Sequence, residues 1–322
     1  MRRKNCRISG LLPLLWFDCV SFPDGLVESN LLLIGGRCWY APCMPQLPPQ
    51  SDRPAISAAI VLYRSDLGRL GETMASVARA GERLGSPLRL YLVDQSEDDT
   101  YSQEVAVLAA KYSAKESLTV QHIRRGHNGG YGSGHNTVPA AGLGTLHLLL
   151  NPDVVLSPDM LRDWQALFSR EADLVLVSPR GCNTAGDEEY LAKRYPTVLV
   201  LCLRAFAPAW LQRRFESRLH HYELRDLPLS GPVQDVPLLS GCCMLVRGDA
   251  WQAIGGFDEG FFLYFEDYDL CQRLRSVGRV VRDPNVTIVH HGGQAARKGW
   301  RHILWFIRGG LRFFSIWGWR WV

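Results

Sequence analysis

The sequence predicts an α/β fold in which helices flank a mostly parallel central sheet, followed by a helical C-terminal tail. Short apolar runs suited to buried strands alternate along the chain with segments whose apolar residues recur at helical spacing. Such alternation is typical of parallel sheets that are covered on both faces. At 322 residues the chain has the length of one large domain with appendages.

The predicted elements begin after a proline-rich stretch. Residues 1–53 carry scattered turn formers and run into APCMPQLPPQSDRP, so we interpret them as a poorly ordered N-terminal extension or linker. The main domain is expected to cover residues 54–293. Its predicted elements are a strand at 55–63, a helix at 66–83, a strand at 88–93, a helix from 98 to 112, a strand at 119–123, a further helix, a strand at 146–150 and a helix beginning at 157. Residues 179–237 are less regular, and we expect helices there that pack beside the sheet.

The composition excludes several classes of protein. Apolar residues make up 47% of the chain and charged residues 21%, which is ordinary for a folded protein. A formal charge of +4 is too small and too dispersed for nucleic-acid binding. Nine cysteines without CxxC spacing favour reduced thiols. No apolar stretch reaches the roughly 18 residues of a spanning helix, and Pro13 and Asp18 interrupt the basic start where a signal peptide would lie. We therefore expect a cytoplasmic protein.

Two carboxylates are expected just beyond strand ends, where ligands bind in open parallel sheets. Asp94, in YLVDQSEDDT, can accept hydrogen bonds from a nucleoside, and capping of the next helix is the alternative. Asp153, in LLLNPDVVLSPDML, is delivered to a turn together with Asn151. A carboxylate there suits Mg²⁺ or Mn²⁺, which prefer oxygen ligands and bridge to phosphates, whereas Asn-Pro turn formation is the alternative.

A glycine-rich segment, RRGHNGGYGSGHN, lies between these two carboxylates. Its glycines allow positive φ and a close approach of the backbone to a ligand, which makes Gly130, Gly132 and Asn136 candidates for donor binding. The segment lacks the GxGxxG spacing of dinucleotide-binding loops. A plain flexible turn is the alternative.

The most informative stretch begins at Ser240 and contains FDEGFFLYFEDYDLCQRLRSVG. Glu266, Asp267 and Asp269 open a predicted helix, where acidic side chains favour the helix dipole. That effect does not explain the preceding aromatic run FFLYF, which is suited to excluding water and to forming a sugar platform. Desolvation there raises a carboxylate pKa toward the range useful for a base. The candidate acceptor-binding residues of this stretch are Trp251, Phe262, Tyr264 and Arg273.

A pair of histidines ends a predicted strand in VTIVHHGG. Either His290 or His291 could bind a metal ion, and a satisfied structural histidine is the alternative.

Taken together, these stretches resemble family 2 glycosyltransferases of the GT-A fold, which has a Rossmann-like sheet, and among them the bacterial rhamnosyltransferase-like members. The resemblance covers residues 55–293 and rests on the order of the motifs NPD, FDE, FFLYFED, DLCQRLRSVG and HHGG. It implies an inverting, cation-dependent transferase. Its donor would be dTDP-L-rhamnose, or alternatively a UDP- or GDP-sugar, and its acceptor a glycan or lipid-linked glycan of a surface polysaccharide.

The resemblance also implies residue roles. Tyr63 and Asp94 would contact the nucleoside, and Asp153 would coordinate the Mg²⁺ or Mn²⁺ that holds the donor diphosphate. Asp267 would be the base that deprotonates the acceptor hydroxyl, with Glu266 beside it positioning acceptor or base. His290 fits the family's H-x-G-G spacing better than His291 and would be a second cation ligand.

Three positions depart from the family pattern. Tyr63-Arg64 stands where the family has Tyr-Asn, and Asp94-Gln95 stands where it has Asp-Asn. Asn151 replaces the first carboxylate of the usual DxD turn, as in NPD variants of the rhamnosyltransferase-like members. The first two departures concern nucleotide recognition.

The tail, residues 294–322, is predicted to form a basic amphipathic helix. Trp300, Ile303, Ile307 and Leu311 recur at helical spacing, with arginines on another face. Such a helix suits an anionic membrane surface, here the cytoplasmic face of the inner membrane. Packing of the helix on the catalytic domain is the alternative, because Gly309 and Gly310 weaken an isolated helix.

Two other functions compete with a transferase. A nicotinamide-dependent oxidoreductase needs phosphate-binding glycines directly after the first strand, where this chain has YRSDLG. A sugar-binding module without catalysis also uses a cleft and aromatic side chains, but it needs neither Asp153, Asp267 nor His290.

Overall fold

The computed structural model describes residues 30–34, 37–41, 53–113, 117–292 and 299–322. Residues 1–45 form one unit and residues 46–322 another. In the first unit, strands β1 (Asn30–Ile34) and β2 (Arg37–Ala41) pair antiparallel, a feature that the sequence did not predict. The proline-rich linker predicted at 41–54 lies largely outside the described residues.

The second unit alternates strands and helices over most of its length. Its strands are β3 (Ile56–Leu62), β4 (Leu88–Asp94), β5 (Leu118–Arg124), β6 (Leu146–Leu150), β7 (Val154–Val155), β8 (Leu174–Cys182), β9 (Glu188–Glu189), β10 (Ala192–Lys193), β11 (Gln234–Asp235), β12 (Leu238–Leu239), β13 (Cys243–Arg247) and β14 (Arg279–His290). Its helices are α1 (Leu67–Leu84), α2 (Asp99–Ser113), α3 (Tyr131–His135), α4 (Met160–Arg170), α5 (Val198–Phe206), α6 (Ala209–Arg214), α7 (Glu216–Tyr222), α8 (Gly248–Ala253), α9 (Glu266–Leu274) and α10 (Trp300–Trp317).

One large sheet carries the fold. Its strand order is β11-β14-β8-β13-β6-β3-β4-β5, with β7 paired to β14 and β9 paired to β8. Strands β6, β3, β4 and β5 run parallel, as do β8 and β14. Strand β13 lies between the two parallel groups and is antiparallel to both β6 and β8. The predicted α/β fold with a mostly parallel central sheet is therefore confirmed.

Local sequence signals account for the first elements. Strand β3 is buried along its whole length, as its unbroken apolar run predicts. Asp66 caps α1 by accepting a hydrogen bond from the Arg69 N–H at 2.8 Å, and Gly85 ends the helix in a left-handed conformation. The short helix α3 lies inside the glycine-rich segment, and the helix predicted after that segment is replaced by a single 3-10 turn at Ala140–Gly142. The helix predicted from residue 157 begins at Met160.

The C-terminal helix α10 packs on the domain through one face. Phe313 and Phe314 are buried in a cluster with Phe261 and Phe265 of the aromatic run. A side chain at Gly309 would place its Cβ 2.6 Å from the Tyr264 carbonyl oxygen, so the glycine permits this close approach. The expected packing of α10 on the domain is thus seen for one face of the helix. The other face carries exposed apolar side chains, and its contact with a membrane stays a prediction. None of the described helices is both long and apolar enough to cross a bilayer.

Candidate active site

Two residues that are remote in the sequence meet where β6 and β14 end. Asp153 follows β6, and β14 pairs with β7 so that His290 lies opposite Val154. This register places the His290 Nε2 atom 3.6 Å from the Asp153 Oδ1 atom. His291 is directed elsewhere, with its Nε2 atom 3.3 Å from the Glu72 carboxylate. The structure therefore brings Asp153 together with His290 and not with the ring of His291.

A third side chain orients His290. The Nδ1 atom of His290 lies 2.7 Å from Glu189 Oε2, and Glu189 is held on β9 by its pairing with β8. A carboxylate on one ring nitrogen fixes the ring and directs the other nitrogen outward. Burial favours the neutral ring, but the hydrogen bond and charge of Asp153, together with Glu189, outweigh it and raise the pKa of His290.

The glycine after the histidines keeps space open between this pair. A Cβ at Gly292 would lie 2.5 Å from His290 Nε2 and 3.0 Å from Asp153 Oδ2. The gap is thus lined by one imidazole nitrogen and one carboxylate, a donor set that Mn²⁺ accepts and that Mg²⁺ tolerates. Two ligands about 2.1 Å from a shared octahedral cation stand about 3 Å apart, so the observed 3.6 Å needs only a small adjustment.

In the described part of the chain, the candidate cation site consists of the side chains of Asp153 and His290. Among those residues no group of three or more His, Cys, Asp or Glu side chains is arranged to hold a metal ion. Mg²⁺ and its analogues commonly bind through one or two protein groups, with water and substrate phosphates completing the shell. The donor set therefore fits a cation that arrives with a diphosphate.

Asp267 contacts the turn that follows β12, and the NPD turn contacts the same turn. Its Oδ2 atom accepts a hydrogen bond from the Gly241 N–H at 3.0 Å, while its Oδ1 atom accepts one from the Tyr268 N–H at 2.9 Å. The next residue, Cys242, accepts a hydrogen bond from the Asn151 N–H at 2.8 Å through its carbonyl oxygen. Two consecutive residues thus connect the Asp267 carboxylate to the NPD turn that carries Asp153.

The surroundings of Asp267 favour a base. Burial raises the pKa of Asp267 to about 6, although the N–H groups of Gly241 and Tyr268 act in the opposite direction. Glu266 has one carboxyl oxygen that is buried without a hydrogen-bond partner among the described residues. Burial, and then the charge of Asp267, raise the pKa of Glu266 well above its usual value. The two carboxyl groups therefore differ in exposure: Glu266 is buried, whereas Asp267 is half-buried.

The glycine-rich segment packs closely against another loop of the chain. Gly130 has φ 92°, and a Cβ there would lie 2.2 Å from the Phe262 carbonyl oxygen. A Cβ at Gly132 would lie 2.7 Å from the Phe257 side chain. Asn136 donates to the Phe257 carbonyl oxygen at 2.9 Å and accepts from the Phe257 N–H at 2.9 Å. Gly130, Gly132 and Asn136 therefore hold the aromatic loop in place, and their assignment to donor binding stays a prediction.

Tyr63 and Asp94 lie at the ends of neighbouring strands but differ in exposure. Tyr63 follows β3 and is 44% exposed, with the Arg64 guanidinium 5.7 Å from its ring centre. Asp94 is fully buried and accepts a hydrogen bond from the Ser96 N–H at 2.8 Å. The Ser96 hydroxyl in turn accepts one from the Arg64 N–H at 2.9 Å. Asp94 does not cap α2, since Asp98 accepts the Tyr101 N–H there; the Asp94 carboxylate lies 3.7 Å from the His122 Nε2 atom and shapes the loop that presents Tyr63 and Arg64. Its contact with a nucleoside stays a prediction.

The acceptor-binding predictions divide into two groups. Phe262 and Tyr264 are half-buried beside the acidic pair, and they pack on α10 through Trp305 and His302. Trp251 is only 4% exposed and packs edge-on against Phe257.

Arg273 is buried as well. It pairs with Asp269 at 2.8 Å and donates to the carbonyl oxygens of Ile254 and Gly256. The acceptor roles of Trp251 and Arg273 are therefore wrong, because both side chains are committed to the interior.

Several residues of the site were not predicted from the sequence. Tyr131 donates its hydroxyl to the Gly241 carbonyl oxygen at 2.6 Å and so connects the glycine-rich segment to the turn beside Asp267. Glu189 and Gly241 were also missed. No signal in the sequence marks them, since the elements that carry them are short and their partners are remote in the chain. The thiols of Cys182, Cys202, Cys242, Cys243 and Cys271 are free.

Comparison with known proteins agrees with this arrangement. A family model described as "Glycosyltransferase like family 2" matches residues 54–290. The N-acetylglucosaminyl-diphospho-decaprenol L-rhamnosyltransferase of Mycobacterium tuberculosis (strain ATCC 25618 / H37Rv) is 28% identical over 232 residues, which cover 68% of this chain and 70% of that protein.

Two solved structures share the fold at low sequence identity. The mannosyltransferase PcManGT from Pyrobaculum calidifontis, in complex with GDP-Man and Mn²⁺, superposes with a TM-score of 0.53 at 15% identity, over 85% of this chain and 66% of that one. GalNAc-T7 with UDP, GalNAc and Mn²⁺ gives a TM-score of 0.51 at 12% identity, over 78% of this chain and 47% of that one. This chain thus spans about half to two thirds of those structures.

Proposed function

Because the chain belongs to the glycosyltransferase like family 2, we propose that it transfers L-rhamnose from dTDP-L-rhamnose to a lipid-linked glycan acceptor, with inversion and with Mg²⁺ or Mn²⁺. The chain is a glycosyltransferase that acts on nucleotide sugars. Rhamnose and a diphosphate-linked lipid acceptor are favoured because the mycobacterial relative is an N-acetylglucosaminyl-diphospho-decaprenol L-rhamnosyltransferase. A UDP- or GDP-sugar donor is the alternative within the same family. The product would enter surface polysaccharide biosynthesis.

One observation carries the proposal. The Gly241–Cys242 turn connects Asp267 to the NPD turn, and Asp153 of that turn faces His290. A cation-ligand pair and a base of raised pKa thus lie around one turn of the chain. Single displacement at an anomeric carbon needs both functions, one at the leaving diphosphate and one at the attacking hydroxyl.

Each side chain then has one task. Asp153 and His290 would hold the dication, which when bound opposes the negative charge that builds up on the leaving diphosphate. Asp267 accepts the proton of the acceptor hydroxyl as that oxygen attacks the sugar. Glu266, a buried side chain whose pKa burial raises, lies beside the base and positions the acceptor or the base. Tyr63, exposed at the end of β3, offers its ring to the nucleoside.

A panel of nucleotide sugars tests the proposal directly. Purified protein is incubated with Mn²⁺ and with dTDP-rhamnose, UDP-sugars or GDP-sugars, and the free nucleoside diphosphate is measured with and without a prenyl-diphosphate-linked glycan. We expect dTDP-rhamnose to be consumed and the acceptor to gain rhamnose. Consumption of another donor alone would reassign the sugar, and consumption of none would favour a sugar-binding module without catalysis.

Glu189 provides a test of the cation site that does not depend on turnover. Replacing Glu189 by alanine should weaken Mn²⁺ binding about 10- to 100-fold, because the ring of His290 loses the partner that orients it. Mn²⁺ affinity is measured by electron paramagnetic resonance in the presence of dTDP. Glu188→Gln is the matched control, since this neighbour pairs instead with Arg180 and Arg282. Unchanged affinity in Glu189→Ala would contradict the positioning role.

We also propose that the protein associates peripherally with an anionic bilayer through α10. Its outward face carries exposed apolar side chains at helical spacing, with Trp300 71% exposed, and the exposed Arg301 and Arg308 lie on the same helix. An apolar groove between α5 and α10 lies beside this face. Its lining includes Val198, Cys202, Phe206, Ile307, Leu311 and Trp319.

Point variants test membrane association better than a deletion, because removing α10 would expose Phe313 and Phe314. Ile307→Glu should lower the fraction of protein that pellets with anionic vesicles at least tenfold, since it removes an inserted apolar group and adds a repelled charge. Val107→Glu changes an exposed valine of α2 and should pellet like the wild type. Equal pelleting of all three proteins would defeat the membrane proposal.

A further inference from the structure

Three cationic side chains surround a single carboxylate beside the candidate active site. The Lys193 Nζ atom lies 3.6 Å from Glu223 Oε1, and the Arg204 Nε atom lies 3.3 Å from the same oxygen. Arg225 donates two hydrogen bonds to Glu223 Oε2, at 2.9 and 2.6 Å. We call Lys193, Arg204, Glu223 and Arg225 the cation cluster. The cation cluster thus gathers three basic side chains around one acidic side chain.

The positive charge of the cation cluster is only partly compensated. Lys193 is 4% exposed, and burial lowers its pKa to about 7. The charge of Arg204 acts in the same direction, and Glu223 offsets only part of it. One carboxylate serves all three basic side chains, and the partly exposed guanidinium groups of Arg204 and Arg225 keep N–H donors for a further anion.

The outer side of the cation cluster is open to solvent. The Arg204 side chain is 49% exposed, whereas Glu223 beneath it is nearly covered. An anion can therefore reach the Arg204 guanidinium without displacing the carboxylate. A guanidinium presents several N–H donors in a plane, which suits the oxygens of a phosphate or diphosphate.

Two contacts connect the cation cluster to the base. The Tyr222 hydroxyl lies 2.8 Å from the Tyr268 hydroxyl, and Tyr268 directly follows Asp267. Burial raises the pKa of both tyrosine hydroxyls, and the charge of Arg204 acts in the opposite direction on each. Helix α5, which carries Arg204, also contributes Val198, Leu201 and Cys202 to the apolar groove against α10. The cation cluster therefore adjoins both the place where a hydroxyl would be deprotonated and a groove suited to a lipid chain.

We propose that the cation cluster binds the diphosphate of a prenyl-diphosphate-linked acceptor, with the prenyl chain in the groove between α5 and α10. This inference rests on the proposed function, because it assigns the acceptor's own charged group. The donor and acceptor diphosphates then bind at different places. The donor diphosphate binds the cation held by Asp153 and His290, and the acceptor diphosphate binds Arg204 and Lys193. A terminal sugar attached to the acceptor diphosphate would then extend toward Asp267.

The first test compares two acceptors that carry the same terminal sugar, one on prenyl diphosphate and one on octyl alcohol. Arg204→Gln should raise the ratio of their KM values about tenfold or more, the usual effect of losing one charge-assisted hydrogen bond. Arg213→Gln removes an exposed charge from α6 and should leave the ratio as in the wild type. An unchanged ratio in Arg204→Gln overturns the proposal. So does an equal rise in the KM of dTDP-rhamnose, which would assign the cation cluster to the donor.

A second test needs no turnover. Titration calorimetry with farnesyl diphosphate, without donor or divalent cation, should show binding that is about tenfold weaker in Arg204→Gln and that inorganic pyrophosphate displaces. Farnesol should bind both proteins alike. Equal affinity of wild type and Arg204→Gln for farnesyl diphosphate contradicts the anion site. Arg204-dependent binding in a protein that transfers no sugar would retain the anion site while the proposed function fails.

Discussion

Replacing Asp267 by asparagine is expected to lower the rate of sugar transfer by about 10²–10⁴ while leaving donor binding intact. Asparagine has nearly the shape of aspartate but cannot take up the proton of the acceptor hydroxyl. It retains one oxygen to accept a hydrogen bond from the Gly241 or Tyr268 N–H groups that now hold the carboxylate. The measurement is kcat with saturating donor and acceptor, together with the donor Kd.

The control for this variant is another helical aspartate. Asp249 also lies in the first turn of its helix, α8, and is exposed away from the candidate site. Asp249→Asn should therefore transfer sugar at the wild-type rate. Near-wild-type turnover by Asp267→Asn, with an unchanged melting temperature, would remove Asp267 from the role of base.

The pH profile follows from the same carboxylate. Because burial raises the pKa of Asp267 to about 6 and only the unprotonated form is a base, kcat should fall as the pH is lowered through about 6. This pH dependence of kcat is opposite to that expected for a catalytic acid, with which kcat would fall as the pH rises. A kcat that stays constant down to about pH 4.5, near the ordinary carboxyl range, would show that the group is not desolvated in the working enzyme.

Replacing Asp153 or His290 by alanine is expected to abolish Mn²⁺-dependent donor binding and to reduce transfer about 10³-fold. Two unit charges about 4 Å apart interact by about 4 kcal/mol at an effective dielectric constant of about 20, and that energy corresponds to about three decades in rate. The two donors lie 3.6 Å apart around the space that Gly292 keeps open. Either substitution would therefore remove one of the two protein ligands proposed for the cation.

The chain itself offers a matched control in its second histidine. His291 contacts Glu72 through its ring, and its backbone N–H donates to the Asp153 carbonyl oxygen at 2.9 Å, a bond that alanine retains. His291→Ala should keep Mn²⁺ affinity within about twofold, as expected for a surface substitution. The ligand assignment fails if His291→Ala loses the cation and His290→Ala keeps it.

Sequence patterns predicted the parallel part of the fold well. Strands β3 and β4 and helix α1 lie within a few residues of their predicted bounds, because apolar periodicity and the Asp66 cap are encoded by neighbouring residues. The position of β13 between β6 and β8 was not predictable, because strand order depends on pairings between segments remote in the chain. The β1–β2 hairpin was also missed, since the turn formers scattered through residues 1–53 and the prolines after residue 41 favoured a linker.

The candidate site shows the same division. The sequence placed the NPD turn after a strand, the acidic pair at the start of a helix and HHGG at the end of a strand, and the resemblance to family 2 glycosyltransferases implied the roles of Asp153, Asp267 and His290. Only the tertiary structure showed that Glu189 orients His290, that the glycines of the 125–136 segment support the aromatic loop, and that Trp251 and Arg273 face inward. A residue's type and its local element follow from its neighbours in sequence. The direction of its side chain and the identity of its partner follow from packing between remote segments, which a local pattern does not encode.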